Sequence, residues 1–421
     1  MGRGLLKKDF ILVVTGQVIS LFGNAAIRFA LPLYLLNQTG SSVLYGTVTA
    51  CAFIPAILLS PVGGIIADRV NKRNIMVILD FLTSAVMLAF LVLMDRAGIV
   101  VLSALVMMVL YGIAGAYQPS VQASIPALVS QDNIMAANSV INTISSFSSL
   151  TGPVLGGVLY SAYGLKPVLY VCMACFFVSA VMEIFIKIPY KRQEHNGSIL
   201  YIAREDLSRG ISFIRKDQPV IGKVLIIVCG LNLFLSAMIV TGLPYLITEV
   251  LGLGELHANK LCGYAEGALA AGGLAGGIFA GVFAGRLSIK KAGMLLAGCA
   301  LSVFPMGIVL MLPFPGIVSY IVMTICCFII MILSTIFVIQ MISFVQSVTP
   351  QDLTGKVMAV ILAGSMCSQP LGNALYGILF EICTSYEFAV ILFAGTASLI
   401  VAVSGKNIFK HRDMEYNNVK E

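Results

Sequence analysis

Long apolar runs, broken at near-regular intervals by short charged or turn-forming clusters, dominate the chain from Phe10 to Gly405. A helix needs roughly 20 apolar residues to cross the hydrocarbon core of a bilayer, more if it is tilted. On that measure the pattern predicts twelve spans, near 10–36, 43–67, 74–94, 98–128, 134–162, 165–187, 220–249, 258–285, 290–312, 315–347, 354–381 and 384–405. With 59% hydrophobic and only 11% charged residues, the chain has too little polar surface to face water on all sides, so its solvent is lipid. The expected fold is an all-α membrane protein.

The longest polar interruption, Pro189 to Pro219, divides the spans six and six. The expected organisation is a six-helix bundle over 1–188, a linker over 189–218, a second six-helix bundle over 219–405 and a tail over 406–421. Inside the linker, "REDLSRGISFIRK" sets Leu207, Ile211 and Ile214 at helical spacing with charges opposite, which predicts a helix lying on the membrane surface.

The net charge of +7 changes the picture only through its distribution. Of the 26 basic residues, Arg96, Lys166 and Lys260 alone fall in loops on one side and Arg28 lies within a span; the rest collect on the other side. Such a bias places both termini in the cytoplasm and removes any need to invoke nucleic acid. The ten cysteines sit singly in apolar runs, where a thiol behaves as a small hydrophobe, and Cys172-x-x-Cys175 has no second ligand pair. His195, His257 and His411 are too scattered for a metal site, and no phosphate-binding glycine loop with lysine is present. Neither a cofactor, ATP nor enzyme chemistry is expected. The first apolar run follows Lys7, Lys8 and Asp9, is too long for a signal-peptide core and lacks a small-residue cleavage site, so no cleavable leader is expected.

Three motifs recur in the same order in the two halves. "ALPLYLLNQTG" matches "GLPYLITEVLG", pairing Leu31-Pro32 with Leu243-Pro244; "GGIIADRVNKR" matches "AGVFAGRLSIKK", pairing Gly64 with Gly281, Arg69 with Arg286 and Arg73 with Lys290; "VSQD…GPVLGGVLY" matches "TPQD…QPLGNALY", pairing Asp132 with Asp352 and Pro153 with Pro370. Duplicated six-helix halves with both termini inside predict a secondary transporter in which two pseudo-symmetric bundles rock around a midplane site.

The cytoplasmic turn after the second span, Gly64, Asp68, Arg69, Asn71, Lys72 and Arg73, resembles the loop signature of the major facilitator superfamily: glycine, three residues, aspartate, a basic residue, then a glycine and two basic residues. Asn71 stands where the second glycine is expected, and asparagine tolerates a left-handed backbone better than most side-chain-bearing residues. The resemblance implies that Gly64, Asp68, Arg69, Lys72 and Arg73 close an inner gate, with Asp68 near the start of the eleventh span at Thr354-Gly355. "TGPVLGG" resembles the Gly-Pro-x-x-Gly-Gly element of proton-coupled drug exporters in that superfamily. Its Gly152, Pro153, Gly156 and Gly157 would then let the fifth span move against the glycine-rich eighth. The order "SLFGNAAIRFALPLYLLNQTGSS", "AYQPSVQASIPALV", "MAANSV", "TGPVLGG" and "REDLSRGISFIRK" is most similar to the macrolide-efflux and enterobactin-exporter branch, with the lysophospholipid transporters nearby.

Ionisable groups within a span cost roughly 2.5–3.5 kcal/mol each on insertion scales and are functional candidates for that reason. Arg28 lies one turn after Asn24, and Glu266 lies in "GYAEGALAAGG". Members of the branch often carry an acid near the position of Asn24; an amide cannot titrate, which leaves Glu266 as the expected proton carrier, with binding of a cationic substrate, ordering of water or plain hydration at the outer end as its alternatives. Asp80, Glu183, Glu249 and Glu381 fall nearer span ends, where snorkelling or interfacial solvation accounts for them. Asn24, Arg28, Tyr34, Tyr111, Asn142, Asn232, Phe234 and Gln340 are the expected substrate contacts. A mostly apolar lining with few fixed charges suits a bulky amphipathic compound, because hydrophobic contact tolerates varied shapes. The expected function is export of such compounds (drug, macrolide or siderophore-like) by proton antiport across a bacterial plasma membrane, by a protein that works as a monomer. A lysophospholipid flippase of the same fold and a transporter-like sensor that does not translocate are the alternatives.

Overall fold

The computed structural model describes residues 8–96, 98–129, 134–188, 199–282 and 292–410. Among them every regular element is helical, in thirteen rods: α1 Lys8–Thr39, α2 Ser42–Arg69, α3 Lys72–Leu93, α4 Ile99–Leu128, α5 Ile134–Tyr163, α6 Leu165–Ile184, α7 Ile199–Lys216, α8 Pro219–Val250, α9 Glu255–Val282, α10 Ala292–Met311, α11 Gly316–Val348, α12 Gln351–Ile382 and α13 Glu387–Lys410. Nine of the described rods are long and apolar enough to cross a membrane. Three more, α5, α9 and α12, have the length, at 30, 28 and 32 residues, but glycine, serine and amide side chains dilute their apolar character. The remaining rod is α7.

Local chemistry explains the boundaries. Asn71 caps α3: its backbone is extended, at φ −61° and ψ 114°, and its side-chain oxygen accepts from the Arg73 N–H at 3.1 Å. The left-handed conformation expected there is therefore not adopted, because an asparagine side chain satisfies an orphan amide of the first turn where a glycine would supply only backbone freedom. Gly164, at φ +77°, turns the chain between α5 and α6. Pro219 opens α8, where its missing N–H is no loss. Within α8 the ladder widens into π turns at Asn232–Ser236 and Leu246–Val250. In α10 the helix breaks at Ser302 and Val303, just ahead of Pro305.

The chain forms two compact units. The first comprises Met1–Gly40, Cys51–Tyr201 and Gly254–Gly267; the second comprises Ser41–Ala50, Ile202–Leu253 and Ala268–Glu421. In the first, α1 packs along α5 and α6, and α3 packs along α6. Glycine makes these approaches close. A Cβ at Gly152 would meet the Cβ of Ala25 and lie 3.1 Å from the Ala26 nitrogen, one at Gly156 would lie 3.3 Å from the Ala26 Cα, and one at Gly263 on α9 would lie 2.6 Å from the carbonyl oxygen of Pro153. In the second unit the opening turns of α2 pack on α12, where the Ser42 hydroxyl donates to the Gly377 carbonyl at 2.8 Å and a Cβ at Gly46 would collide with the Asn373 carbonyl.

The amphipathic helix expected in the linker is α7, but its apolar stripe divides. Ile214 and Phe213 are buried with Phe344, Val345, Val357 and Val360, and a Cβ at Gly210 would stand 2.9 Å from the Lys356 carbonyl. Leu207 and Ile211 remain exposed. One edge of α7 is thus held by α11 and α12, and the other is exposed.

These contacts predict opposite outcomes for two glycines of the same helix. Gly263→Ala on α9 drives a methyl into backbone and is expected to destabilise the protein by about 1–3 kcal/mol. Gly277→Ala meets nothing within 4 Å and gains helix propensity, so its thermal midpoint in detergent is expected to equal or exceed that of the wild type. Equal midpoints for the two variants would contradict the packing described.

Candidate functional site

The charged residue deepest in α1 is Arg28. Its guanidinium carbon lies 3.4 Å from the ring centroid of Tyr111 on α4, and Tyr111 meets the edge of Phe53 on α2 at 5.1 Å and 64°. The negative face of the ring carries part of the solvation that the cation lost on leaving water. Arg28 Nε remains buried with no hydrogen-bond partner among the described residues. The cation is held flat against an aromatic wall with one donor unused.

Tyr34, two turns further along α1, packs edge-on against Tyr160 at 6.4 Å. Asn37 joins this knot, donating to the Tyr160 hydroxyl at 3.0 Å and to Asn259 Oδ1 at 2.7 Å. Asn24 is half-buried and Asn142 exposed. In the second unit, Asn232 and Phe234 both fall in the first π turn of α8. Asn232 Nδ2 donates to the Ser365 carbonyl at 3.1 Å, the Phe234 carbonyl accepts from the Tyr376 hydroxyl at 2.7 Å, and the Phe234 ring meets Phe393 edge-on at 6.2 Å. Gln340 on α11 is buried, and neither its amide oxygen nor its nitrogen has a partner among the described residues. The structure thus joins Arg28 to Tyr111 and puts Asn232 beside Phe234, while Tyr34 and Asn142 stand apart from both groups.

Of the loop residues, Lys72 and Arg73 open α3 and are half-buried, Arg73 Nε without a partner among the described residues. Gly64, Asp68 and Arg69 are in the closing turns of α2, and their side chains lie outside the described residues. The degraded second copy, Gly281 to Lys290, falls largely outside them as well. Gly152, Pro153, Gly156 and Gly157 lie where α5 meets α1 and α9; a Cβ at Gly157 would be 3.0 Å from the Gly263 Cα. Glu266 on α9 is half-buried. No ion pair joins it to Arg28 among the described residues; Lys166 pairs with Asp95 at 2.9 Å.

Two of the carboxylates assigned to span ends are elsewhere. Asp80 is 2% exposed and Glu183 is 0% exposed, so neither snorkels to an interface; Glu249 and Glu381 are exposed. The reason is rotational. Position along a span says how far a group is from the membrane surface, but the face it occupies decides whether it can reach that surface. Sequence reasoning missed this pair, and a signal was present: Gln17 and Ser20 share a face of α1 at helical spacing inside an apolar run.

Long apolar helices enclosing a few buried polar and charged groups are the construction of an integral membrane carrier. A profile of the Major Facilitator Superfamily matches residues 13–373, and the chain belongs to that family of transporters. It is 24% identical over 404 residues to macrolide efflux protein A of Streptococcus pyogenes, covering 94% of this chain and 95% of that protein. It is 27% identical over 205 residues to the multidrug resistance protein MdtG of Escherichia coli, covering 46% of this chain and 49% of that one. Among solved structures it superposes on the nucleoside transporter NupG with a TM-score of 0.77 at 13% identity, covering 96% of this chain and 100% of that one. A bacterial homologue of the iron transporter ferroportin gives a TM-score of 0.70 at 15% identity over 93% and 98% of the two chains.

The stacking of Arg28 on Tyr111 makes a measurable prediction. Tyr111→Phe keeps the ring and is expected to leave thermal stability unchanged, whereas Tyr111→Leu leaves the cation without its π-face and is expected to cost about 1–2 kcal/mol. Calorimetry of the detergent-solubilised protein would separate the two, and equal losses would point to the hydroxyl rather than the ring.

Proposed function

We propose that the protein exports bulky amphipathic compounds by alternating access, as a proton antiporter with both termini in the cytoplasm. The observation that carries the reading is the Arg28–Tyr111–Phe53 wall, a single cation on aromatic rings in a span otherwise poor in charge, in a chain similar to a macrolide efflux protein over nearly its whole length. Apolar and aromatic surface binds without strict direction, so it accommodates large molecules of varied outline, while an isolated cation orients a polar or anionic substituent. Asn24 and Arg28 in the first unit and Asn232 and Gln340 in the second would supply polar contacts, and Phe234 an aromatic one, in keeping with such cargo.

In this reading the two six-helix halves rock against one another. Asp68, Arg69, Lys72 and Arg73 hold the cytoplasmic gate, and the glycines of α5 provide smooth surfaces for the motion. Glu266, half-buried on α9 and unpaired with any cation among the described residues, exchanges protons as the carrier turns over.

Inverted proteoliposomes given a fluorescent amphipathic dye with no positive charge on the outside test this. The wild type is expected to concentrate dye when the lumen is acid and to stop when the gradient is reversed. Glu266→Gln is expected to lower gradient-driven accumulation by about tenfold, equivalent to ~1.4 kcal/mol. Equal accumulation under either gradient would discard proton antiport; movement of a fluorescent lysophospholipid indifferent to the gradient would indicate a flippase. Dye entry that is the same with and without Asp68→Asn would remove the gate and favour a sensor.

A further inference from the structure

A second group of titratable side chains lies inside the first unit, apart from Glu266. Asp80 on α3 and Glu183 on α6 face a shared polar pocket with Gln17 and Ser20 of α1 and Tyr117 of α4, all of them buried. Hydrogen bonds link them in one direction. Gln17 Nε2 donates to the Tyr117 hydroxyl at 2.7 Å, and that hydroxyl donates to Glu183 Oε1 at 2.7 Å; separately, the Ser20 hydroxyl donates to Asp80 Oδ1 at 3.0 Å. Ser179 stands beside Asp80, its own hydroxyl donating to the Gly16 carbonyl at 3.1 Å.

The bonding leaves a one-sided remainder. Asp80 Oδ2, Glu183 Oε2 and Gln17 Oε1 are buried without a partner among the described residues, and all three are acceptors. Every donor atom of this group already makes a hydrogen bond, and only the second amide hydrogen of Gln17 is not accounted for by those bonds. Two carboxylates that act on each other electrostatically, in a pocket short of hydrogen, are held together at a steep cost if both are charged. A proton on either one removes a charge and creates the missing donor.

No fixed cation among the described residues supplies the balance. α4 and α5 contain no charged residue. On α3, Lys72 and Arg73 open the helix, and Arg73 precedes Asp80 by seven residues, about 10 Å along the axis. On α1, Lys8 and Asp9 lie in the first turn and Arg28 is committed to Tyr111. On α6, Lys166 is paired with Asp95 at the far end. Lys187 follows the end of α6, where its backbone N–H donates to Asp9. Toward that end of the unit, Phe10, Val13, Met76, Ile186 and Ile188 belong with Tyr117 to one cluster of buried apolar side chains.

We propose that Asp80 and Glu183, set among Tyr117, Gln17 and Ser20, form a proton-binding site in the first unit, distinct from Glu266. The step is the addition of H⁺ to a carboxylate oxygen, giving a carboxyl whose O–H donates into the pocket; no other bond changes. The chain from Gln17 through Tyr117 to Glu183 orients the acceptor. Its use in coupling rests on the antiport reading above, but the protonation itself does not.

Infrared difference spectroscopy on the full-length protein in lipid, titrated with no substrate and no gradient in a Glu266→Gln background, tests the site. In wild-type-minus-variant difference spectra, where the bands of the other carboxyls cancel, a carboxyl C=O band is expected to grow as the pH falls, with about half the amplitude for Asp80→Asn or Glu183→Gln that it has for the double variant. Tyr117→Phe, which deletes the donor at constant ring volume, is expected to shift the titration midpoint of the Glu183 component, and it serves if a carboxylate variant fails to fold. Absence of the band from both single-variant differences, a band independent of pH, or an unmoved midpoint in Tyr117→Phe would overturn the proposal. So would removal of the band by sodium at constant pH, which would make the pocket a metal-cation site. If the band behaves as expected while dye export ignores the pH gradient, the site stands and the antiport reading falls.

Discussion

In a bilayer, helices gain nothing from the hydrophobic effect by leaving lipid for one another, so association depends on how closely their backbones approach. The packing of α5 on α1 and α9 shows that constraint most clearly. Gly152 and Gly156 admit the backbone of Ala25 and Ala26, and Gly263 lies against the Pro153 carbonyl with no room for a methyl group. The same need accounts for the glycines that dilute the apolar character of α5, α9 and α12. They give up bulky side chains for close contact, whereas helices that meet lipid broadly keep them, as exposed Ile78 and Ile226 illustrate.

Once backbones are that close, the few polar groups inside are either partnered or conspicuous. Arg28 is accommodated by a ring, Asn37 by Tyr160 and Asn259, and Asn232 by a carbonyl beside a π turn. Departures from the regular helical ladder tend to mark functional positions, and here the departure coincides with two residues that the sequence singles out on chemical grounds. The pocket around Asp80 and Glu183 differs in kind. Its hydrogen bonds run consistently toward the carboxylates and still leave three acceptors over. That imbalance separates a place that takes up a proton from one that is merely polar.

Much of the molecule was legible from residues alone. Periodic interruption of apolar runs located the rods to within a few residues for most of the chain, and the loop and "TGPVLGG" motifs pointed to the transporter family that the profile match establishes. The linker helix was legible as an element, from the spacing of Leu207, Ile211 and Ile214. Which edge of it the protein would hold was not, because spacing fixes a face and not its partner. Asn71 was placed at the right turn for the wrong reason: residue identity announced a special backbone position, and only the dihedral angles showed that its side chain caps α3.

The sequence by itself determined that this chain lives in a membrane, as a series of apolar helices interrupted at bilayer-length intervals, because length and transfer free energy along the chain are one-dimensional quantities. The tertiary structure decided which intramembrane groups meet. Asp80 and Glu183 are 103 positions apart in the chain and read singly as residues near span ends, yet helix rotation turns both inward to one pocket. Depth is written in the sequence; azimuth is set only when helices pack.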